Sequence, residues 1–377
     1  MAGIIVADTI QVDSIKTKAG SAQNASNLGL SGGAGKNILI NGAMQVAQRG
    51  TSVTGMGATN DVFGPIDRVK FFTGSHSGQF TAEQVAITDL PGFANAMKLS
   101  CTTADTSISA SEFMGFKHMI EGQDLQQIKK GTASAQKTVL SFYVKGNAAA
   151  TYSVEIRDID NDRINTQTFN VTTDWTRVVL TVNADTTGAY DDDNAMSIQM
   201  SWWLHAGSTY NGGTFTENTW ATRVQGNRVK STNTSFFDST ARTLFITGIQ
   251  YEVGEVASEF EHKKYSDTLL DCYRYFYKIT RTDAYGEFLV IRTYNASNGT
   301  GVMTLPVSMR AQPTFTSSTV NSTNFSYGMT VLGFPGTDHS HRLATHNAVG
   351  AFTSGGAAVV QKGNNTDPIF MQYDAEL

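Results

Sequence analysis

Apolar and polar side chains alternate at every second residue over three stretches of this chain, and that period sets the class of fold open to it. Tyr152, Val154 and Ile156 alternate with Ser153, Glu155 and Arg157. Val178, Leu180 and Val182 alternate with Arg177 and Thr181. Met196, Ile198, Met200, Trp202 and Leu204 alternate with Ser197, Gln199, Ser201 and Trp203. Period two puts one set of side chains on a buried face and the other on a wet face, the pattern of antiparallel sheets packed as a sandwich. Turn-rich stretches at 158–162, 185–194 and 210–213 separate the strands. Residues 139–145, 152–157 and 169–171 are expected to form a meander. The reading is a mainly β chain whose body, residues 37–263, is a jelly-roll β-sandwich.

Other patterns flank this body. Residues 264–278 are expected to form a short connecting helix, with Ser266 as its N-cap and Asp267 in the first turn, where a carboxylate meets the positive end of the helix dipole. Leu269, Cys272, Tyr273 and Phe276 then follow helical spacing. Residues 279–377 return to strand patterns at 287–293, 302–307, 325–332 and 369–373, which suggests a smaller C-terminal β domain. At the other end, Ile4, Val6, Ile10 and Val12 suggest one or two short strands. Residues 19–36 are almost wholly Gly, Ala, Ser and Asn, which cannot bury enough apolar surface to fold alone. Residues 1–36 therefore read as an extended docking arm and flexible linker.

Charge and composition exclude several functions. A net charge of −5 with no basic stripe argues against nucleic acid as a partner. No run approaches the ~20 apolar residues of a membrane span, and the N-terminus lacks a signal-peptide pattern, so a soluble cytosolic product without membrane insertion is expected. Two cysteines in 377 residues, Cys101 and Cys272, read as buried and free.

Catalytic patterns fail one by one, so the chain reads as no enzyme. Gly29-Leu-Ser-Gly-Gly33 satisfies the nucleophile-elbow spacing but lies in the Gly/Ser/Ala linker, without the strand and helix that elbow requires. Gly35-Lys36 echoes a phosphate loop whose remaining positions do not match. No paired carboxylates stand in a context that suggests glycoside hydrolysis. Asp158, Asp160 and Asp162 have the alternation of a calcium loop, but Arg163 and Phe169 occupy the positions where such a loop needs Gly and Glu. A hairpin turn is the plainer reading, with a structural calcium ion as the alternative. For glycan binding, which uses exposed aromatics beside a few polar groups, the candidates are Trp203, Tyr210 and Trp220. Trp203 falls on the face opposite Met200 and Trp202, hence the wetter one. Tyr210 and Trp220 lie in loops. Trp175 and Trp202 read as core.

Three stretches carry a resemblance. They are Asn37-Ile-Leu-Ile-Asn-Gly-Ala-Met-Gln-Val-Ala-Gln-Arg-Gly50 with Asp67-Arg-Val following, Gly248-Ile-Gln-Tyr-Glu-Val-Gly254 onward to His262 and into Tyr273-Arg-Tyr-Phe-Tyr277, and Leu305-Pro-Val-Ser-Met-Arg-Ala-Gln-Pro-Thr314. Over about 37–315 the chain resembles tail-fibre and virion-appendage proteins of tailed bacteriophages. In that group the middle domain looks like a carbohydrate-binding module, and Thr173-Asp-Trp-Thr-Arg-Val-Val-Leu180 matches its late-strand signature. Val6-Ala-Asp-Thr-Ile-Gln-Val-Asp-Ser-Ile-Lys16 is similar, more loosely, to the openings of marine-phage fibres.

The resemblance implies a virion component, made in the host cytoplasm, docked to other virion proteins through residues 1–36. It further implies a homotrimer that contacts a host surface glycan. The alternatives are a purely structural neck, tail or capsid-decoration role and, third, a polysaccharide-degrading spike. His339 and His341 alternate on one face. In a trimer, six such imidazoles could surround one transition metal on the threefold axis; two exposed loop histidines near Gly333–Gly336 are the plainer reading.

Overall fold

In the computed structural model the described residues are 15–16, 22–23 and 35–377, less 60, 284–285, 296–297, 318–329, 335–339, 347–353 and 362–367. Within the N-terminal segment, β1 (Ile15–Lys16) pairs antiparallel with β2 (Ala22–Gln23). The apolar residues 4–12 and the Ser31 elbow motif lie outside the described residues.

The sandwich is built from β3 (Ser52–Met56), β4 (Val62–Phe63), β5 (Lys70–Gly74), β6 (Gln79–Ala86), β7 (Asn95–Thr103) and β8 (Phe113–Glu121). It continues with β9 (Thr138–Gly146), β10 (Ala150–Asp158), β11 (Arg163–Val171), β12 (Thr176–Val182), β13 (Met196–Ala206), β14 (Ala221–Thr222) and β15 (Thr243–Val253). One sheet runs β14-β11-β10-β13-β8-β5-β4 and the other β12-β9-β15-β7-β6-β3. The chain is mainly β, as the alternation predicts.

The inward faces are the apolar sets read from the sequence. Tyr152, Val154, Ile156, Ile198, Met200 and Trp202 are buried from the first sheet, and Leu140, Phe142, Val144, Leu244 and Ile246 from the second. Trp202 stacks on Phe116 with ring centroids 4.9 Å apart and meets Phe142 of the facing sheet edge-on at 5.9 Å. Fully burying one such side chain contributes ~1.5–3 kcal/mol. Cys101 and Cys272 are buried and free.

The expected meander is wrong in one member. β10 and β11 form a hairpin, but β9 pairs with β12 and β15 in the opposite sheet. Residues 147–149 carry the chain across the sandwich, a step that alternation within each strand does not encode.

The connecting helix is present but shifted. α1 is a single turn (Ser208–Asn211), and α2 spans Tyr265–Tyr273. The Lys264 carbonyl accepts from the amides of Asp267 and Thr268, both at 3.1 Å, so the helix begins before Ser266. The Ser266 hydroxyl turns to the Asp267 carboxylate and caps nothing. Phe276, expected on the helix stripe, opens β16 instead.

The C-terminal part contains β16 (Phe276–Arg281), β17 (Glu287–Thr293), β18 (Gly299–Thr304), β19 (Thr314–Ser317), β20 (Thr330–Phe334), β21 (Ser340–His346), β22 (Ala357–Gln361) and β23 (Ile369–Asp374). A three-stranded sheet runs β16-β23-β19 and a five-stranded one β20-β21-β18-β17-β22. Ile291, Val360, Ile369 and Met371 form its core. The strand expected at 302–307 starts earlier and stops at Thr304, two residues before Pro306, which has no N–H for a ladder. Of the strand expected at 325–332, only 330–332 fall within the described residues, at the start of β20.

Candidate functional site

The outer face of the seven-stranded sheet carries a cleft of about 220 Å³, whose lining includes Phe72, Phe113, Trp203 and Tyr210. Strand register builds it. Phe72 on β5 and Trp203 on β13 both stand opposite Gly115 of β8, and Trp203 in turn faces Ser153 of β10. A Cβ at Gly115 would come within 2.5 Å of the Phe72 ring and 2.2 Å of the Trp202 carbonyl oxygen. The glycine thus lets Phe72 lie across β8 and meet Trp203 edge-on, with centroids 4.8 Å apart. Phe113 and Tyr210 continue the cluster. Tyr210 lies 5.3 Å from Phe113 and 5.2 Å from Trp203.

Two to four residues further along the same strands the floor becomes polar. Arg157 of β10 faces Gln199 of β13 in register, and Lys117 of β8 faces Ser201. Above the floor, the segment after α1 brings Gln225 and Arg228 over the sheet. Arg228 grips the wholly buried carboxylate of Glu155 through Nε and Nη2, each at 2.9 Å. Its guanidinium lies 4.6 Å from the Trp203 ring centroid, and Trp203 Nε1 donates to the same Glu155 at 2.9 Å. Burial pulls the Lys117 ammonium below the ordinary lysine range, against the pull of Asp61 at 2.7 Å.

This arrangement corrects one expectation. Trp203 does face away from the core, but it is only 1% exposed, because Tyr210 and Arg228 cover it. It is the wall of the cleft, whereas the half-buried Tyr210 offers ring surface to solvent. Trp220 is elsewhere. Its Nε1 donates to the Asn183 carbonyl at 2.7 Å, and its ring packs partly buried against the sandwich core. The reading of Trp175 as core also fails. It is half-buried on the outer face of the six-stranded sheet, edge-on to Phe245 and 5.0 Å from the Lys145 ammonium.

The calcium-like aspartates do not converge. Asp158 is wholly buried and holds the Lys130 ammonium at 2.6 Å, Asp160 accepts from the Asp191 amide, and Asp162 is shared by Arg157 and Arg223. Lys130 is enclosed by Asp158, by Asp185 at 3.2 Å, and by the carbonyls of Thr187 and Gly188 at 2.6 and 2.7 Å. An ammonium therefore sits among four oxygens of the kinds that bind a hard cation. Among the described residues, no group of three or more His, Cys, Asp or Glu side chains could hold a metal ion. His339 lies outside the described residues; His341 lies on β21, paired with Met303 of β18, and its side chain is outside them too.

The motifs behind the family resemblance meet in one place, the joint between the sandwich and the C-terminal sheets. Asn37 accepts from the Tyr251 amide at 3.0 Å and donates to the Ile249 carbonyl at 3.1 Å. Gly42 lies so close to Ile249 that a Cβ would be 2.0 Å from its carbonyl oxygen. Asn41 ties Val46 to Asp67 through 3.0 Å bonds to both carbonyls. Gln48 reaches the Phe276 carbonyl at 2.7 Å, and the Arg49 guanidinium sits 3.6 Å from the Phe276 ring centroid. Arg274 holds buried Glu121, and Arg310 donates to the carbonyls of Asn194, Ala375 and Glu376. A concavity of about 320 Å³ opens beside this joint, but its Lys263 is already paired with Asp271 and its Arg274 with Glu121.

No protein-family model matches the chain, and no curated protein is similar to it in sequence. Among solved structures it is similar to a CBM4 module (TM-score 0.29, 13% identity, 57% of this chain and 99% of that one). It is also similar to a family 11 carbohydrate-binding module from Clostridium thermocellum in complex with a mixed-linked tetrasaccharide (TM-score 0.27, 10% identity, 56% and 99%). A family 30 carbohydrate-binding module gives 0.28, 13%, 59% and 96%. The reading of the cleft rests on its own residues.

Proposed function

We propose that this chain is a non-enzymatic, glycan-binding structural subunit of a tailed-phage appendage, a tail or neck fibre, and that its cleft takes the sugar. The observation that supports the reading is the pairing, within one groove, of partly exposed aromatic surface at Phe113 and Tyr210 with donors from Arg157, Gln199 and Arg228. A sugar ring needs an apolar face to stack on and a few placed polar groups to orient it. The lining includes no Asp or Glu, and the carboxylate beneath it, Glu155, is committed to Arg228 and Trp203. Glycoside hydrolysis needs two carboxyl groups flanking the bond, so binding without cleavage is the reading favoured here.

The virion assignment rests on the sequence resemblance. Docking through residues 1–36 and assembly as a homotrimer belong to the same proposal, with binding strength from linked copies. Purified chain should retain at least one polysaccharide in affinity electrophoresis without shortening it, and should label host cells. Tyr210→Ala should weaken both without unfolding the chain. A monomer in light scattering at micromolar concentration would remove the trimer.

A second reading is a purely structural appendage component. The joint supports it, because the residues that carry the resemblance tie the sandwich to the C-terminal sheets and none of them lines the cleft. Firm docking to the particle with no retention of any glycan and no cell labelling would select it.

A further inference from the structure

The charges around the cleft are unevenly arranged. Lys117, Arg157 and Arg228 line it, whereas the carboxylates that balance them, Asp61, Asp162 and Glu155, are absent from its lining. Lys70 shares Asp61, and Arg223 shares Asp162. In this set five cations therefore face three carboxylates, an excess of two positive charges on a chain whose net charge is −5.

The cations are not equivalent. Arg228 already has its charge met, with Nε and Nη2 on Glu155 and Nη1 on Gln225 at 3.1 Å, which leaves it one N–H on each terminal nitrogen. Lys117 is held by Asp61. Arg157 donates Nη2 to Asp162 at 2.9 Å, yet its Nε is buried and has no hydrogen-bond partner among the described residues. That Nε is enclosed, but the Arg157 side chain as a whole is 24% exposed and lines the groove, so its guanidinium can meet a charged acceptor there. Arg157 stands at the polar end of the groove, opposite Gln199, while Phe113 and Tyr210 form the apolar end.

Resting on the reading of the cleft as a sugar site, we propose that its ligand is an acidic saccharide, with the ring against Tyr210 and Phe113 and its carboxylate on Arg157. The aromatic end alone would take any hexose. The cations of the lining and the missing carboxylates select an anionic one, because a neutral sugar offers Arg157 no charge. A chain with net negative charge has no general attraction for polyanions, so an acidic preference must come from a local site.

The test uses the full chain and uronate oligosaccharides, prepared from polygalacturonate, alginate and hyaluronate, each beside its carboxyl-reduced counterpart. At least one acidic member should bind ~10-fold or more tightly than its reduced form, a difference of about 1.4 kcal/mol. That preference should shrink as salt is raised. Arg157→Gln should collapse the ratio; Asp162 keeps Arg223 as a partner, and the melting temperature reports whether the fold survives. Lys98→Gln, on the opposite sheet, should leave the ratio unchanged.

Equal binding of acidic and reduced forms would overturn the acidic specificity and leave the sugar cleft standing. A preference that survives Arg157→Gln, or disappears with Lys98→Gln, would move the effect off this site and defeat the assignment. Retention of no saccharide, neutral or acidic, would remove both readings together.

Discussion

The guanidinium of Arg68 sits over the ring of Tyr275, its central carbon 3.4 Å from the ring centroid. The same side chain donates to the Met119 carbonyl at 2.9 Å and is ion-paired with Glu376, and both charged groups are almost wholly buried. Arg68 is held with φ at 71°, in the left-handed region that costs an ordinary residue roughly 1–2 kcal/mol. One arginine thus ties the sandwich to both ends of the C-terminal part. Removing one partner of a buried pair costs ~3–5 kcal/mol, because the other charge is left uncompensated. Arg68→Met should lose stability on that scale in urea unfolding, and Arg68→Met with Glu376→Gln should recover part of it. An additive double mutant would show that the pair is not coupled.

Lys130 should be as sensitive. Its ammonium neutralises Asp158 and shares Asp185 with Arg163, and Lys130→Met would leave Asp158 buried without a cation. A loss of ~3–5 kcal/mol is expected. Because an ammonium fills the oxygen cage, EDTA should leave the melting temperature of the unaltered chain unchanged. A drop on chelation would point to a metal elsewhere.

Gly115→Ala tests the aromatic row. The added methyl meets the Trp202 carbonyl and the Phe72 ring, so overpacking should cost ~1–3 kcal/mol. Near-UV circular dichroism should change as Phe72 leaves Trp203, and saccharide retention should fall with it. Unchanged dichroism would mean that Phe72 does not depend on the missing Cβ.

Acid should destabilise the sandwich from about pH 6.5 downward. Burial, aided by Arg68, pulls His118 down to about 3, and burial also lowers His76 and His205. Below pH 6.5 the unfolded chain takes up protons at these histidines that the folded chain refuses, so stability is full above 6.5 and falls with pH. Each such histidine contributes about 1.4 kcal/mol per pH unit where only the unfolded form is protonated. Burial raises Asp67 to about 6, which acts in the opposite sense between about 6 and 3.8 and offsets part of the loss. Urea titrations at pH 7, 6 and 5 should show a decline, flattened in His118→Gln.

The strands were readable because alternation is a property of each segment alone. Tyr152, Val154 and Ile156 had to share a face wherever β10 ended up, and they are buried together. Sheet membership was not readable. β9 and β10 have similar patterns, but only their partners decide that β9 belongs to the opposite sheet. The helix start was misplaced because Ser266 has cap chemistry, whereas the Lys264 carbonyl receives the first bonds. Tyr210 was legible as a loop aromatic near a surface. Arg157 and Gln199 were not, since an alternating strand assigns every outward polar residue the same wet face.

The chain's local order determined by itself that it would be mainly β and that Trp202 would face inward and Trp203 outward. Tertiary structure alone decided that Trp203 is covered, because its cover is Arg228 and its anchor is Glu155, which meet 73 residues apart. It also decided that the motifs at 37–50, 248–262 and 273–277 form one joint, with Asn37 reaching Tyr251 across 214 positions. Period two constrains a side chain to a face of its own strand. What lies on that face depends on which distant segment the fold brings to it, and no local pattern carries that information.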